Sequence, residues 1–540
     1  MFGWGHPGNV PTRVDRPLFA RAWLVEDVRS KKRLAYVCCD LGMIAEALRH
    51  EVLVRTRQAG LPLEDDELVL TATHTHSAPN GTSTYLMYAL GGPGFSPLVF
   101  DTIAKGIVDA LLTAARGLAP ARLFLHSDTI PLSEPILFNR SPEAYSKNAD
   151  VVPVSFERRD EATNRTMTVV RVDALDGRPL GLVSWLACHP TTIHRDATYL
   201  HPDHKGEASL CLEERAAREG DDRFVALFAQ GAAGDVTANH RFSAERRQMV
   251  GHFDDDRESA RFAGERQAHH AKRIAALAVE HGHELHGEVV TRVTYTDFFS
   301  APVDPRFAAG REGLRTGSPR VGLPFPVGTL EGPGPLAPVA RAIPMFSALQ
   351  RARRRLGLLS KDAAPHGGKF SFWELGKGSK SRVFGLVRPA QIARYIPNKF
   401  ARYIAAAAEH PEMIERPWVP RYLPGHLAKI GKLVIASTPN EPTTTCGRRL
   451  AEVVRRALAH EDVHVVVCGY TNAYAGYLTT PEEYGAQSYE GGASLFGENA
   501  LPAWCTVFDR LARAALPGAK ACSRGTPPPH VRPADCVPFV

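Results

Sequence analysis

Two histidines separated by one residue, His74 and His76, follow the apolar run 68–70. Small polar residues bound this run, which predicts a buried strand that leads into a loop. Alternate side chains of an extended segment share one face, so both imidazoles are expected to point the same way. Such a pair can bind one metal ion, or one imidazole can bind while the other acts on a substrate. The alternative from this segment alone is a surface strand with two incidental histidines.

Three further apolar runs also end in residues that could do chemistry. Runs 181–188, 224–229 and 433–437 are followed by His189, by a small-residue turn with Thr237, and by Glu441, respectively. Sheets of α/β proteins place their binding sites at strand ends. Taken singly, His189 also fits a structural histidine, and Glu441 fits a carboxylate near a helix N-terminus.

The elements that must position these residues alternate between strands and helices. We predict strands at 20–25, 34–39, 151–156, 167–174 and 463–468, and helices through 45–54, 102–115, 257–280 and 447–459. This pattern predicts an α/β fold in which mixed β-sheets are flanked by helices. Long loops rich in glycine and proline, notably from about 300 to 340, are expected to connect them.

The composition excludes several classes of protein. The 540 residues are 44% apolar and 23% charged, as in ordinary soluble globular proteins. No apolar run approaches the ~18 residues of a membrane span. Nine cysteines without a CxxC spacing argue against a structural zinc knot and a disulfide scaffold. The chain as given shows no signal peptide, so a cytoplasmic location is expected as it stands.

The positive charge is concentrated in one segment, residues 351–402. It contains 13 lysines and arginines against two acids, whereas the whole chain carries a net charge of +7. Aromatic residues are interleaved with this charge, namely Phe370, Phe372, Trp373 and Phe384. Such a segment suits an anionic membrane surface or nucleic acid, and a solvated insertion is the alternative. No nucleic-acid recognition motif accompanies it, so we expect no nucleic-acid partner.

Several motifs, taken in order along the chain, resemble those of the neutral/alkaline (non-lysosomal) ceramidases. They are the histidine strand 72–77, the arginine loop 139–142, the segment from His189 to Gly206, the turn 228–239 and the tyrosine region 472–491. The resemblance extends from about Gly3 to about Ala515. It implies a catalytic domain at 1–523 with a basic insertion at about 350–402, followed by a proline-rich tail, 524–540, that we expect to be disordered. For the family's C-terminal immunoglobulin-like domain we expect no counterpart in the sequence as given, and the family itself is often secreted or membrane-associated.

The resemblance also implies a zinc site and its chemistry. The implied zinc ligands are His74, His189, Glu441 and Tyr477, and the implied catalytic residues are His76, Thr237, Arg140 and Tyr489. His76 would lie beside the metal and orient water or the developing oxyanion, while Arg140 and Tyr489 would hold the polar head of the substrate. Zinc-activated water would then cleave the N-acyl bond of a ceramide-like lipid to a fatty acid and a sphingoid base. The basic segment would contact an anionic membrane.

One departure from the family pattern affects the site directly. Where the family has Ser-Pro, this chain has Thr237-Ala238. The extra methyl group of threonine stiffens χ1 and crowds the site, which favours the metal–water route over attack by the hydroxyl. The departure leaves two alternatives open: a zinc hydrolase of another N-acyl lipid or ester on the same fold, and an inactive relative that binds lipid.

Overall fold

Three β-sheets form the frame of the molecule. The computed structural model describes residues 1–6, 8–89, 92, 94–359, 363–395, 399–458, 461–532 and 535–536. The first sheet has three strands in the order β1 (Ala20–Glu26), β2 (Arg33–Cys39) and β3 (Leu68–Ala72). β1 and β2 are antiparallel, whereas β2 and β3 are parallel.

The second and third sheets are also mixed. The five-stranded sheet contains β4 (Ala121–Thr129), β5 (Thr166–Ala174), β6 (Pro179–Leu186), β7 (Val225–Gln230) and β8 (His283–Glu284), in the spatial order β7-β6-β5-β4-β8. The four-stranded sheet runs in chain order through β9 (Val289–Asp297), β10 (Tyr422–Ile430), β11 (Leu433–Ser437) and β12 (His464–Cys468). Its last pair, β11 and β12, is parallel, as is the pair β6 and β7.

The sheets share one buried core, to which each contributes apolar side chains. Two polar contacts inside this core join the three sheets. The indole nitrogen of Trp185 on β6 donates to the hydroxyl of Tyr36 on β2 at 3.0 Å. The same hydroxyl lies 3.1 Å from the Sγ of Cys468 on β12. Because buried polar groups are costly when unpaired, these contacts fix how the three sheets face each other.

Helices cover the outer faces of the sheets. The longer ones are α1 (Glu46–Gln58), α2 (Pro97–Arg116), α3 (Asp203–Arg218), α4 (Asp256–His281), α5 (Ile343–Arg355), α6 (Lys399–Glu409), α7 (Thr444–Ala457) and α8 (Ala500–Arg513). Side-chain caps start three of them, and one of these caps matters for the site. The Oγ1 of Thr443, two residues after Glu441, accepts a hydrogen bond from the backbone of Cys446 at the start of α7. None of the helices in the described part of the chain combines the length and apolar character that crossing a bilayer requires.

Short pairings and single turns complete the fold near the site. Strands of two to four residues pair as Arg13–Val14 with Tyr199–Leu200, Phe138–Asn139 with Val236–Thr237, Arg241–Ser243 with Gln248–Val250, Arg320–Gly322 with Ser371–Glu374, and Glu441–Pro442 with Tyr477–Leu478. Short α-helices span Leu86–Ala89, Pro142–Tyr145, Pro324–Val327, Pro389–Ile392, Pro411–Ile414, Pro481–Ala486 and Tyr489–Ala493. Short 3₁₀ helices span Pro305–Phe307, Ala337–Ala342, Ala364–His366, Gly378–Lys380 and Ala393–Tyr395.

The predicted α/β class with mixed sheets and flanking helices is confirmed. The strand predicted at 151–156 is wrong, because this stretch is an exposed loop in which Val152 is 77% exposed and Pro153 lacks a donor for a ladder. Strands β4, β9 and β10 were not predicted. Within the tail that we expected to be disordered, the Arg524 carbonyl accepts a hydrogen bond from the backbone of Tyr295 at 2.7 Å. Residues 533–534 and 537–540 of that tail lie outside the described residues, and the domain division stays a prediction.

Candidate functional site

Three buried side chains, one following each sheet, converge at one point. His74 follows β3, His189 follows β6 and Glu441 follows β11. The Oε2 of Glu441 lies 3.4 Å from the Nε2 of His74 and 3.6 Å from the Nε2 of His189. All three residues are at most 2% exposed. The predicted clustering of strand-end residues is therefore present in the fold.

The backbone at His74 explains how the two neighbouring histidines meet. The strand β3 ends at Ala72, and His74 has a φ of +71°, in the left-handed region. A residue other than glycine adopts this region at some energetic cost, and such residues concentrate at functional sites. The Nε2 atoms of His74 and His76 nevertheless lie 3.2 Å apart. The prediction that an extended strand gives them a common face was wrong, because a turn brings them together.

Backbone carbonyls orient the two imidazoles of His74 and His189. The Nδ1 of His74 contacts the carbonyl oxygen of Gly42, and the Nδ1 of His189 lies 3.2 Å from that of Ala233. A carbonyl oxygen only accepts, so each Nδ1 carries the proton in its contact, and each Nε2 is left on the side of Glu441. In proteins, a histidine that binds a metal through one ring nitrogen usually donates the N–H of the other to a carbonyl, a carboxylate or water.

The polar atoms at the centre of the cluster fit a metal ion. The Nε2 of His189 and the Oε2 of Glu441 are buried and have no hydrogen-bond partner. One nitrogen from each of His74, His76 and His189 lies within 4.8 Å of the others. Buried polar atoms without partners are costly, and neutral imidazoles with a carboxylate are ordinary zinc ligands. These residues could hold a metal ion, and the assignment of individual ligands stays a prediction.

Burial sets the protonation of the histidines. It lowers the pKa of His189 and of His76 well below the ordinary value, and the nearby charge of Arg140 acts in the same direction. Both imidazoles are therefore neutral near pH 7. A neutral imidazole is the form that binds a metal or accepts a proton.

The N-terminal loop covers His76. The ring of Trp4 meets His76 edge-on, with centroids 5.0 Å apart. Gly3 has a φ of +112°, and a Cβ atom there would lie 2.4 Å from the His76 ring. Only glycine allows so close an approach, so this loop forms a fitted wall beside His76.

Two tyrosines lie next to Glu441, and only one of them was predicted in the site. The hydroxyl of Tyr474 donates to the Oε1 of Glu441. Tyr477, the predicted fourth ligand, pairs with Glu441 through the backbone, and its hydroxyl accepts a hydrogen bond from the Nη2 of Arg140 at 2.7 Å. Burial raises the pKa of both phenols well above the ordinary value. Tyr474 lies in the tyrosine region 472–491, but no individual role was predicted for it.

Arg140 is held inside the protein on several sides. Its Nε donates to Glu490 at 2.8 Å and its Nη1 to Glu331 at 2.9 Å, while its Nη2 donates to the carbonyl of Gly234 at 2.7 Å as well as to Tyr477. Burial opposes its charge, but Tyr477 and the two carboxylates raise its pKa well above the ordinary value. The predicted role of Arg140 at the substrate head stays a prediction. Its observed contacts are with protein groups.

Thr237 is buried in the turn next to His189, with which it shares a backbone bridge. Its hydroxyl donates to the Oε2 of Glu331 at 2.6 Å. Glu331 is a site residue that sequence reasoning missed, because it is one acid in an irregular Gly/Pro-rich loop without periodicity. The hydroxyl of Thr237 faces this carboxylate, and its catalytic role stays a prediction.

A cavity of about 220 Å³ opens from the cluster. Its polar wall includes His74, His76, Glu441, Tyr477 and Tyr489. Its apolar wall is formed by Phe2, Met87, Val321, Phe325, Trp373, Ala493 and Leu495, together with the tyrosine rings. A mostly apolar cavity with a few convergent polar groups at one end suits a ligand that has a polar head and hydrocarbon chains.

Comparison with known proteins agrees with this arrangement. The family described as neutral/alkaline non-lysosomal ceramidase, N-terminal, matches residues 1–341 and 374–506. Neutral ceramidase from Pseudomonas aeruginosa is 33% identical over 517 residues, which are 95% of this chain and 69% of that protein. Neutral ceramidase from Mycobacterium tuberculosis is 29% identical over 538 residues, covering 96% and 75% of the two chains.

Solved structures share the fold. One, described as ceramidase complexed with C2, has a TM-score of 0.80 at 30% identity and covers 98% of this chain and 74% of its own. The crystal structure of neutral ceramidase from Pseudomonas aeruginosa has a TM-score of 0.72 at 29% identity, covering 95% and 71%. The predicted resemblance and the prediction of a ceramidase-like enzyme are thus confirmed at the level of the family. This chain belongs to the neutral/alkaline non-lysosomal ceramidase family.

Proposed function

We propose that the protein is a zinc-dependent amide hydrolase that cleaves the N-acyl bond of ceramide-like lipids to a fatty acid and a sphingoid base. The observation that carries this proposal is the position of the unpartnered Nε2 of His189 and Oε2 of Glu441 at the polar end of an apolar cavity. Membership of the ceramidase family supports the substrate class. When bound there, zinc would supply Lewis-acid activation of water and of the amide carbonyl.

The residues that would hold the ion are His74, His189 and Glu441, with Tyr477 as the fourth. The backbones of the first three are fixed by the ends of three sheets, and that of Tyr477 by its pairing with Glu441, so little reorganisation of the backbone is needed when the ion binds. The hydroxyl of Tyr474 holds the other oxygen of Glu441, which leaves its Oε2 directed at the two imidazoles. Fixed ligands of this kind favour one geometry and one metal.

His76 is placed to move protons during the reaction. Its Nε2 lies 3.2 Å from the Nε2 of His74, and the residue lines the cavity. Hydrolysis adds water across the amide, so the carbonyl carbon gains an oxygen, the C–N bond breaks and the nitrogen takes a proton. We propose that the His76 Nε2 accepts a proton from the attacking water and delivers it to the leaving amine.

The apolar walls would bind the hydrocarbon of the lipid. Phe325 stacks on Tyr489, with ring centroids 5.9 Å apart, so the predicted head-group residue Tyr489 lies where the polar and apolar walls meet. A lipid amide bound with its chains against Val321 and Trp373 would present its carbonyl to the polar end. Water would be excluded from the apolar part, which strengthens the electrostatic interactions at the reacting amide.

The direct test measures zinc content and hydrolysis of a fluorescent N-acyl sphingosine by the purified protein. We expect one zinc per chain and a loss of more than about 100-fold in kcat/KM for His74→Ala and His189→Ala. His76→Ala should lose turnover but keep its zinc. The exposed His281→Ala serves as the matched control and should behave like wild type. Zinc binding with no hydrolysis of lipid amides or esters would contradict the proposal and support an inactive relative.

We further propose that the protein meets its substrate at an anionic membrane through the basic segment 351–402. In its described part, exposed aliphatic side chains lie among arginines: Leu356 is 72% and Leu386 77% exposed. Exposed aliphatic side chains beside basic ones match the surface of an anionic bilayer.

The same segment reaches the cavity wall. In the short strand Ser371–Glu374, Trp373 lines the cavity, while Phe372 packs on Phe384 with ring centroids 5.2 Å apart. Phe384 lies two residues from the exposed Leu386. A membrane contact here would bring the bilayer close to the apolar side of the cavity.

Vesicle binding tests the membrane proposal. Arg353→Gln/Arg355→Gln should lower partitioning to anionic vesicles roughly 25-fold at low salt, because each basic residue near the surface contributes about 1 kcal/mol. Arg354 is left unchanged because it forms an ion pair with Glu498 at 2.6 Å. The exposed pair Arg218→Gln/Arg223→Gln is the matched control. Leu356→Ser/Leu386→Ser should weaken binding at both low and high salt. Equal partitioning of all variants would refute a membrane contact through this segment.

A further inference from the structure

Glu331 is the least expected polar residue near the site. It lies in a loop rich in glycine and proline yet is only 3% exposed. Its Oε1 accepts a hydrogen bond from Arg140 at 2.9 Å. Its Oε2 accepts from the Thr237 hydroxyl at 2.6 Å, from Asn239 at 2.9 Å and from Thr191 at 3.2 Å. The carboxylate therefore has four donors around it and stays ionised in spite of its burial.

The loop that carries Glu331 is anchored on both sides. The backbone of Met249 donates to the carbonyl oxygen of Leu330 at 2.8 Å, and the guanidinium of Arg195 donates to that of Pro333. Gly332 packs so closely on Trp4 that a Cβ atom would lie 2.4 Å from the indole ring. Because its neighbours are held in this way, the backbone of Glu331 is fixed, and its side chain extends from a defined position.

Arg140 lies between two carboxylates and the cavity. Glu331 and Glu490 bind its Nη1 and Nε, and their positions fix the plane of the guanidinium. The remaining nitrogen, Nη2, then points at the hydroxyl of Tyr477 at 2.7 Å. The guanidinium carbon also lies 5.5 Å from the centre of the Tyr489 ring. Both tyrosines line the cavity.

We propose that Glu331 is a positioning residue, which holds Arg140 and through it the hydroxyl of Tyr477 at the polar end of the cavity. The hydroxyl of Thr237 serves as a hydrogen-bond donor to Glu331 and does not attack the substrate. This inference rests on the proposed function only for the activity readout. The contacts among Glu331, Arg140 and Tyr477 also predict an effect on metal affinity.

A double-mutant cycle tests the positioning role. Glu331→Gln should lower kcat about 100-fold with KM within about threefold, because a displaced catalytic group costs rate rather than binding. In an Arg140→Met background the same substitution should cost less than threefold, since Glu331 acts through Arg140. Glu331→Asp should recover part of the loss. Glu207→Gln is the matched control: Glu207 is buried and paired with Arg16, and its loss should leave kcat unchanged.

Zinc affinity, measured by competition with a chromophoric chelator, gives a second readout that needs no substrate. We expect Glu331→Gln to weaken zinc binding about tenfold in the wild-type background and not in the Arg140→Met background. If wild type hydrolyses no lipid amide, the function proposed above fails, and this readout still decides the role of Glu331. Equal losses in both backgrounds, or none in either, would overturn the proposal.

Substitutions at Thr237 test the second half of the inference and do not depend on the folding of the Glu331 variants. Thr237→Val keeps the size of the side chain and removes the hydroxyl. We expect it to retain turnover within about tenfold of wild type, and Thr237→Ser to retain it within about threefold. A loss of more than about 1000-fold in Thr237→Val, with zinc content and unfolding temperature preserved, would identify the hydroxyl as the nucleophile and overturn the assignment.

Discussion

The side-chain amide of Gln230 donates a hydrogen bond to the carbonyl oxygen of Thr73 at 2.9 Å. It also donates to the carbonyl oxygen of Cys188 at 2.6 Å and accepts from the backbone of Cys188 at 3.2 Å. Thr73 directly precedes His74, and Cys188 directly precedes His189. One buried glutamine at the end of β7 therefore sets the separation of the two imidazoles that face Glu441.

We predict that Gln230→Met weakens zinc binding by about tenfold or more and lowers the free energy of unfolding by about 2–6 kcal/mol. The buried carbonyls of Thr73 and Cys188 would lose their donor, at about 1–3 kcal/mol each, and the two histidine segments would separate. Chelator competition and urea unfolding measure the two effects.

The matched control for Gln230 is Gln267→Met. Gln267 also makes two buried hydrogen bonds, to His204 and to the carbonyl of Ala263. This control should lose stability and keep its zinc affinity. A Gln230→Met protein that binds zinc as tightly as wild type would show that the histidines keep their spacing without the amide.

Zinc should stabilise the folded chain. With free zinc at 100 times Kd, we expect about 2.7 kcal/mol of added stability, because the unfolded chain cannot assemble ligands from three sheets. The unfolding temperature of the zinc-free protein should rise on addition of zinc. His189→Ala should show no rise at the same zinc concentration. An equal rise in both proteins would place the binding elsewhere.

The stability of the protein should fall below pH 6.5, in part because of His426. This buried histidine donates to the Asp66 carbonyl at 2.7 Å, and burial lowers its pKa to about 4. Its pKa in the unfolded chain is about 6.5. Between these values the unfolded chain binds a proton that the folded chain does not, so stability decreases as the pH falls from about 6.5 to about 4. The full effect is roughly 3 kcal/mol.

His426→Gln removes this titration and keeps a donor for the Asp66 carbonyl. The difference in unfolding free energy between wild type and variant should therefore shift in favour of the variant as the pH falls from 7.5 to 5. Urea unfolding at both values measures it. A difference that does not change with pH would show that His426 titrates normally in the folded protein.

Trp373 should affect binding of long chains more than chemistry. We expect Trp373→Ala to raise KM about tenfold for a long-chain N-acyl sphingosine, because it removes apolar surface from the cavity wall. For an N-acyl sphingosine with a short acyl chain, KM should rise by less than threefold. The kcat should change little for either substrate. Equal increases for both substrates would mean that Trp373 contacts the chain of the base, and no increase would exclude it from the lipid path.

The fold was predictable where the chain is locally consistent. Strand β2 was placed within one residue, because Leu34 to Cys39 is a continuous apolar run buried on both faces. The prediction of a strand at 151–156 failed because apolar residues alone do not make a strand. Here Pro153 interrupts them, and Val152 is exposed to solvent. Strand β10 contains Pro424 and Gly425, which argue against a strand. These two residues pair only with β9, and pairing with both neighbours begins at His426.

The residues of the site were predictable where they lie in motifs that follow one another along the chain as in the family. His74, His189 and Glu441 come together as the resemblance implied, although His74 reaches its position through a turn. Glu331 could not be found, because its partner Arg140 is 191 residues away and its own loop has no pattern. Tyr474 was passed over in favour of Tyr477, since spacing alone does not show which hydroxyl meets Glu441.

The hydroxyl of Tyr36, with Trp185 on one side and Cys468 on the other, ties together the sheets that precede His74, His189 and Glu441. A chain in which any one sheet has not docked presents at most two of these three side chains. If the proposed metal site is right, binding of the ion reports on assembly, because only a molecule that has finished folding offers all three side chains. Fragments that lack one sheet should neither bind the metal ion nor be active, however well each folds alone.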